Sequence, residues 1–114
     1  MPRPSRSTPL FHPEPEQIDL LEILHALSDP TRMTIVQTLA ASPERACGTF
    51  PVHVAPSTLS HHFRVLREAG LIRQREEGTR RWTSLRADDL DARYPGLLER
   101  ILDASHTASP SPTS

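Results

Sequence analysis

Along residues 56–69 the side chains able to do chemistry recur at helical intervals. Projected at about 100° per residue, Ser57, Ser60, His61, Arg64, Arg67 and Glu68 share one side. Leu59, Phe63 and Leu66 share the other side, and His62 and Ala69 lie at its edge. Hydroxyls and an imidazole near the start of such a helix offer short donors and acceptors, and arginines further on offer guanidinium forks that match phosphate. A nucleic-acid duplex presents those two targets side by side, base edges in the major groove and phosphates on its rim. A solvated face of any amphipathic helix carries the same residue types, so the helix alone does not decide.

The segment after the helix does. Beyond Gly70, two extended stretches, 71–76 and 80–85, flank Glu77-Gly78-Thr79 and read as a β-hairpin that carries Arg75, Arg80 and Arg81. A hairpin so placed can lie along a duplex backbone, where its arginines neutralise phosphates or probe the minor groove. The net charge of −1 runs against a polyanionic partner until it is resolved along the chain. From 57 to 86, seven arginines face three acids; from 87 to 103, five acids face two arginines; from 14 to 29, five acids face no arginine. A basic middle between acidic arms favours double-stranded DNA, and it leaves open a second reading, a winged-helix module for an acidic protein partner.

Other reactive residues lead less far. Cys47 and His53 offer a nucleophile and a base with no third group to orient them, so the chain is not expected to be an enzyme. A single cysteine allows no internal disulfide, and no run of about 18 apolar residues is present, which together predict a cytoplasmic protein with no place in a membrane. The adjacent His61 and His62 point about 100° apart on a helix and make a poor metal pair. His61 reads as a surface residue and His62 as a structural one.

These side chains need elements to hold them. A chain of 114 residues with 36% apolar and 4% aromatic content is expected to form one domain, mainly helical, around Leu, Ile, Val, Met and Ala. Proline-rich residues 1–15 and residues 105–114 are expected to be disordered tails around a domain at 16–104. A first helix over 16–27 is apolar around much of its circumference, as suits packing on its own domain and on a second subunit, although a helix central to a monomer would look alike. Asp29-Pro30 starts a helix over 30–41, a short helix is expected around 44–50, and Pro56 starts the polar-faced helix that Gly70 stops. Residues 88–93 form another short helix, and from Pro95 a last one carries Leu97, Leu98, Ile101 and Leu102 as a stripe. The sum is a winged helix-turn-helix of five to six helices with a small β-hairpin wing and an α-helical dimer interface.

Two stretches carry a family likeness. Ala26-Leu27-Ser28-Asp29-Pro30-Thr31-Arg32 and the run from Ser57-Thr58-Leu59-Ser60-His61-His62 through Gly70-Leu71-Ile72 resemble the opening motif and the recognition helix of ArsR/SmtB-type regulators, over about 18–104. The resemblance implies a homodimer on an inverted-repeat operator, by default a repressor. Ser57, Thr58, Ser60 and His61 would read bases, and Arg64 and Arg67 would hold the backbone. Ile18, Leu21, Leu24 and His25 with Leu97, Leu98, Ile101 and Leu102 would form the dimer interface.

The family's metal sites transfer poorly. Its thiolate site uses a Cys-x-Cys pair where this chain has only Cys47, and its other site needs a histidine that 97–104 lacks. Six histidines nonetheless suit a borderline ion such as nickel or zinc. The candidates are His12, His25, Cys47 and His106, with a small-molecule effector as the other option.

Overall fold

The computed structural model describes residues 10–107. Five helices and a three-stranded antiparallel sheet follow in the order α1 (Leu20–Ala26), α2 (Pro30–Ala41), β1 (Arg45–Ala46), α3 (Pro56–Glu68), β2 (Ile72–Glu77), β3 (Arg80–Leu85), α4 (Ala87–Arg93) and α5 (Leu97–Thr107). Single 3-10 turns occupy Pro15–Gln17 and Cys47–Thr49. The winged helix-turn-helix expected from the sequence is the fold observed.

Local chemistry sets most of the boundaries. The Asp29 carboxylate accepts the amides of Thr31 at 2.8 Å and Arg32 at 3.1 Å, and Pro30 fills the first position of α2, where no amide is needed. α3 ends in a Schellman motif, with Gly70 N donating to Arg67 O and Leu71 N to Leu66 O, both at 3.0 Å. Gly70 has φ +87° there, and a Cβ would stand 2.5 Å from Cγ1 of Ile18, so backbone and packing both require glycine.

The hairpin pairs Glu77 with Arg80 across a two-residue loop led by Gly78 at φ +63°. That register puts Arg75 opposite Trp82, Glu76 opposite Arg81 and Gln74 opposite Thr83. Because side chains alternate along a strand, Arg81 and Glu76 share one face with the buried Gln74 and Thr83, while Arg75, Arg80 and Trp82 share the other.

Four expectations are corrected. The first helix breaks into the turn Pro15–Gln17 and α1, because Ile18 and the cap Asp19 are extended and Ile18 is drawn into the core at 1% exposure. The short helix around 44–50 is instead β1 and one 3-10 turn, since Arg45 and Ala46 pair with Thr83 and Trp82 and leave too few residues for a helix. Residues 11–13, expected in a tail, bond to α3, to β2 and to Arg86 as given below. α5 runs past the expected boundary at 104 to Thr107, with Ser105 Oγ accepting from Gln37 Nε2 at 2.8 Å. The rest of both expected tails, 1–9 and 108–114, lies outside the described residues.

The core is aliphatic, as the composition implies. Ile18, Ile23, Ile35, Val36, Leu66, Leu71 and Ile72 are almost wholly enclosed, and Phe63 meets Phe50 edge to face at 5.3 Å. Burying these side chains contributes about 1.5–3 kcal/mol each and presses α3 and the wing onto α1 and α2.

Candidate nucleic-acid interface

α3 presents the polar face that its spacing predicts, with one exception. Ser57, Thr58, Ser60, His61 and Arg64 are exposed. No acidic residue stands in the first turn of α3, and no side chain caps Ala55, so the positive end of the helix dipole faces outward beside the hydroxyls. Arg64 holds Glu68 at 3.3 Å, an exposed pair that a phosphate can displace at little cost.

Arg67 is the exception, and its expected outward placement is corrected. It is 9% exposed, donates Nη1 to Gln74 Oε1 at 2.8 Å and Nε to Phe11 O at 3.1 Å, and burial is the main cause that lowers its pKa. A guanidinium committed in this way ties α3 to the wing and is not free for a backbone phosphate. The sequence held a signal for it. Gln74 falls at an inward position of β2, and a polar side chain there needs a buried partner.

On the wing, Arg81 lies on the side of the hairpin that faces α3, paired with Glu76 at 2.7 Å. It lines a cleft of about 310 Å³ with Cys47, Ser60, Leu59 and Phe63, so it is the wing arginine placed beside the recognition face. Arg75 and Arg80 lie on the opposite face, their guanidinium carbons 6.0 and 5.9 Å from the Trp82 ring. Arg75 also bridges Glu77 at 2.6 Å and Glu44 at 3.1 Å, and these carboxylates raise its pKa. The part of Trp82 and Glu44 was missed from the sequence. The Trp82 pairing can be read from the hairpin register, whereas Glu44 lies 31 positions from Arg75 and gives no local sign.

Both halves of the motif meet at a buried joint. Arg32 donates Nε to Ala26 O at 2.6 Å and Nη1 to His62 Nδ1 at 3.1 Å, and His62 Nε2 stands 3.8 Å from Asp29 Oδ2. Partial burial acts to raise the Asp29 pKa, but the Arg32 amide, His62 and the Thr31 amide outweigh it and the pKa is lowered. His62 is thus a structural residue, 8% exposed, while His61 is exposed.

Of the residues expected at a dimer interface, Leu21, Leu24 and His25 stand exposed on α1, with Leu21 72% and Leu24 44% accessible. Leu97, Leu98, Ile101 and Leu102 are half-buried on α5. Ile18 is corrected, because it is enclosed against Gly70 and offers no surface.

The metal candidates do not converge. His12 has both ring nitrogens engaged, Nδ1 with Leu10 O and Nε2 with Gln74 N, each at 3.0 Å. Cys47 Sγ lies 3.4 Å from Thr83 Oγ1 and 3.3 Å from Gln74 Nε2, while His25 and His106 are exposed on α1 and α5. Among the described residues of the single chain no three His, Cys, Asp or Glu side chains group as a metal site. Among the same residues no helix is long and apolar enough to cross a membrane.

Comparison with known proteins agrees with this geometry. Residues 27–75 match a helix-turn-helix domain family. The chain is 39% identical over 83 residues to the HTH-type transcriptional regulator YceK of Bacillus subtilis, covering 70% of this chain and 83% of that one. Among solved structures it resembles the ArsR family transcriptional regulator RHA00566, with 25% identity, a TM-score of 0.59, and coverage of 90% of this chain and all of that one. The fold also matches the transcriptional repressor BigR of Xylella fastidiosa, at 24% identity, a TM-score of 0.63, and coverage of 82% and 88%. These relatives are regulators of transcription and not enzymes.

Proposed function

The chain belongs to the ArsR-type winged helix-turn-helix transcriptional regulators, and from that premise we propose that it binds an inverted-repeat operator as a homodimer and represses transcription. The carrying observation is the exposed row Ser57, Thr58, Ser60, His61 and Arg64 on α3, with Arg81 beside it across the cleft. In the major groove the hydroxyls and the imidazole read base edges, while Arg64 and Arg81 exchange their glutamate partners for phosphates. Arg75 and Arg80, on the far face of the wing, take the next phosphates or the minor groove.

Dimerisation is supported by Leu21 and Leu24, two large apolar side chains left in water on α1, with the α5 stripe as the second element. The protein acts where the chromosome is, in the cytoplasm. No metal is assigned as its signal, because no three candidate ligands group among the described residues.

A gel-shift titration with the DNA upstream of the protein's own coding sequence tests the reading. Arg64→Ala with Arg81→Ala should weaken binding at least tenfold and reduce the salt slope by about 0.9 for each phosphate left without its arginine. Unchanged affinity and slope would place the DNA surface elsewhere.

A further inference from the structure

Ahead of the first helical turn, residues 11–13 bond one after another to three elements of the DNA-binding half. Arg67 of α3 donates Nε to Phe11 O at 3.1 Å. The backbone amide of Gln74 in β2 donates to His12 Nε2 at 3.0 Å. Arg86, which follows β3, donates Nη1 to Pro13 O at 2.9 Å. Arg67 then closes the ring by donating Nη1 to Gln74 Oε1. Arg67 and Arg86 are 9% and 3% exposed, so water competes weakly for these bonds.

The sheet order β1-β3-β2 leaves one side of β2 unpaired, and His12 occupies that open edge. A backbone amide can only donate, so Nε2 must carry the lone pair and Nδ1 the proton given to Leu10 O at 3.0 Å. His12 therefore works as the neutral ring.

We propose that residues 11–13 form a strap that fixes the wing against the recognition helix, with His12 as its positioning residue for DNA reading. The functional consequence rests on the DNA-binding reading above; the mechanical one does not. His12 touches no part of the DNA face. It acts by holding the first strand of the wing to the segment that also grips the end of α3.

The charges around the ring set when the strap holds. Arg67 of α3, Arg73 of β2 and Arg86 after β3 face His12, and Asp89 of α4 pairs with Arg73 at 3.2 Å and Arg86 at 3.0 Å. Protonation would set an N–H against the Gln74 amide and add a fourth cation. Burial first, and then the three arginines, keep the His12 pKa below 6.5 despite its bond to Leu10. The strap is closed at neutral pH and opens in acid.

Energy transfer from Trp82, the single tryptophan, reads the wing directly in the full chain. An acceptor dye is placed on Ser57→Cys in a Cys47→Ser background. At pH 7.5 the parent and His12→Gln, whose amide oxygen can accept the same bond, should give one narrow distance, and His12→Ala a broadened one. As the pH is lowered below 6.5, the parent should broaden in step with protonation of the His12 ring, followed by NMR, and His12→Gln should not, an arm that decides the matter even where the alanine variant fails to fold. Without the dye, His12→Ala should lose tenfold or more in affinity for the upstream DNA and keep its affinity for a random-sequence duplex.

A narrow distance in His12→Ala, or in the parent once its His12 ring is protonated, overturns the strap. A broadened distance with unchanged DNA preference overturns its role in reading. A parent protein that does not prefer upstream DNA over the random duplex refutes the DNA reading instead, while the distances still decide the strap.

Discussion

Alanine at Gly70 would test the joint between recognition helix and wing with two separable costs. The first is conformational: at φ +87° an L-residue sits in left-handed space, at about 1–2 kcal/mol. The second is steric, since the new Cβ would stand 2.5 Å from Cγ1 and 2.9 Å from Cδ1 of Ile18. Ile18 is 1% exposed and has no solvent to move into. Forcing a methyl into such packing costs about 1–3 kcal/mol. The sum, about 2–5 kcal/mol, is a large part of the net stability of a domain this size. Each kcal/mol lowers Tm by about 4–8 °C.

Urea and thermal denaturation followed by circular dichroism would measure Gly70→Ala, Ile18→Ala and the double variant. Ile18→Ala alone should cost about 2–5 kcal/mol through the cavity it leaves. In that background the methyl at position 70 enters vacated space, and only the backbone cost should remain. The coupling between the sites is then about 1–3 kcal/mol in favour of the double variant. Strict additivity, or a Gly70→Ala protein within about 0.5 kcal/mol of the parent, would refute the steric account.

Two arginines at opposite extremes of burial should behave differently. Arg32→Ala removes buried bonds to Ala26 O and His62 and should cost about 1.5–3 kcal/mol for each charged hydrogen bond removed, whereas Arg64→Ala, from an exposed pair, should cost under about 1 kcal/mol. Chemical denaturation of both checks the contrast. The acid limb of stability should report Asp29 and Asp89. Hydrogen bonding from Arg86 is the main cause that lowers the Asp89 pKa below 3.8, and for Asp29 the capping bonds and His62 outweigh burial. A carboxylate with a depressed folded pKa contributes stability that is present above its ordinary value and lost as pH falls through the folded one. Asp29→Asn, which can still cap α2, should therefore flatten the dependence of the urea midpoint on pH below 3.8. An unchanged acid limb would contradict the assignment.

Much of the architecture is local and could be read in advance. The helix starts at Asp29-Pro30 and Pro56 and the stop at Gly70 act through sterics and hydrogen bonds within a few residues. The hairpin was expected with its turn at 77–79, and Glu77 instead pairs with Arg80 and shortens the loop to two residues. The outward face of Ser57, Ser60, His61 and Arg64 follows from the same short-range geometry. His62 was legible as structural because it sits on the apolar edge, although its partners Arg32 and Asp29 come from another helix.

What the chain determined by itself, then, was where α2 begins, where α3 begins and stops, that a hairpin follows, and which face of α3 is polar, because each depends on neighbours in sequence. Only the tertiary structure decided which of those polar residues are free. Arg67 has the same helical address as its exposed neighbours, and Ile18 the same apolar character as Leu21 and Leu24. Arg67 is buried because a strap 56 residues away lies over it, and Ile18 because a glycine 52 positions on lets it in. Burial is set by what another segment of the chain places on top of a side chain, and periodicity carries no record of that.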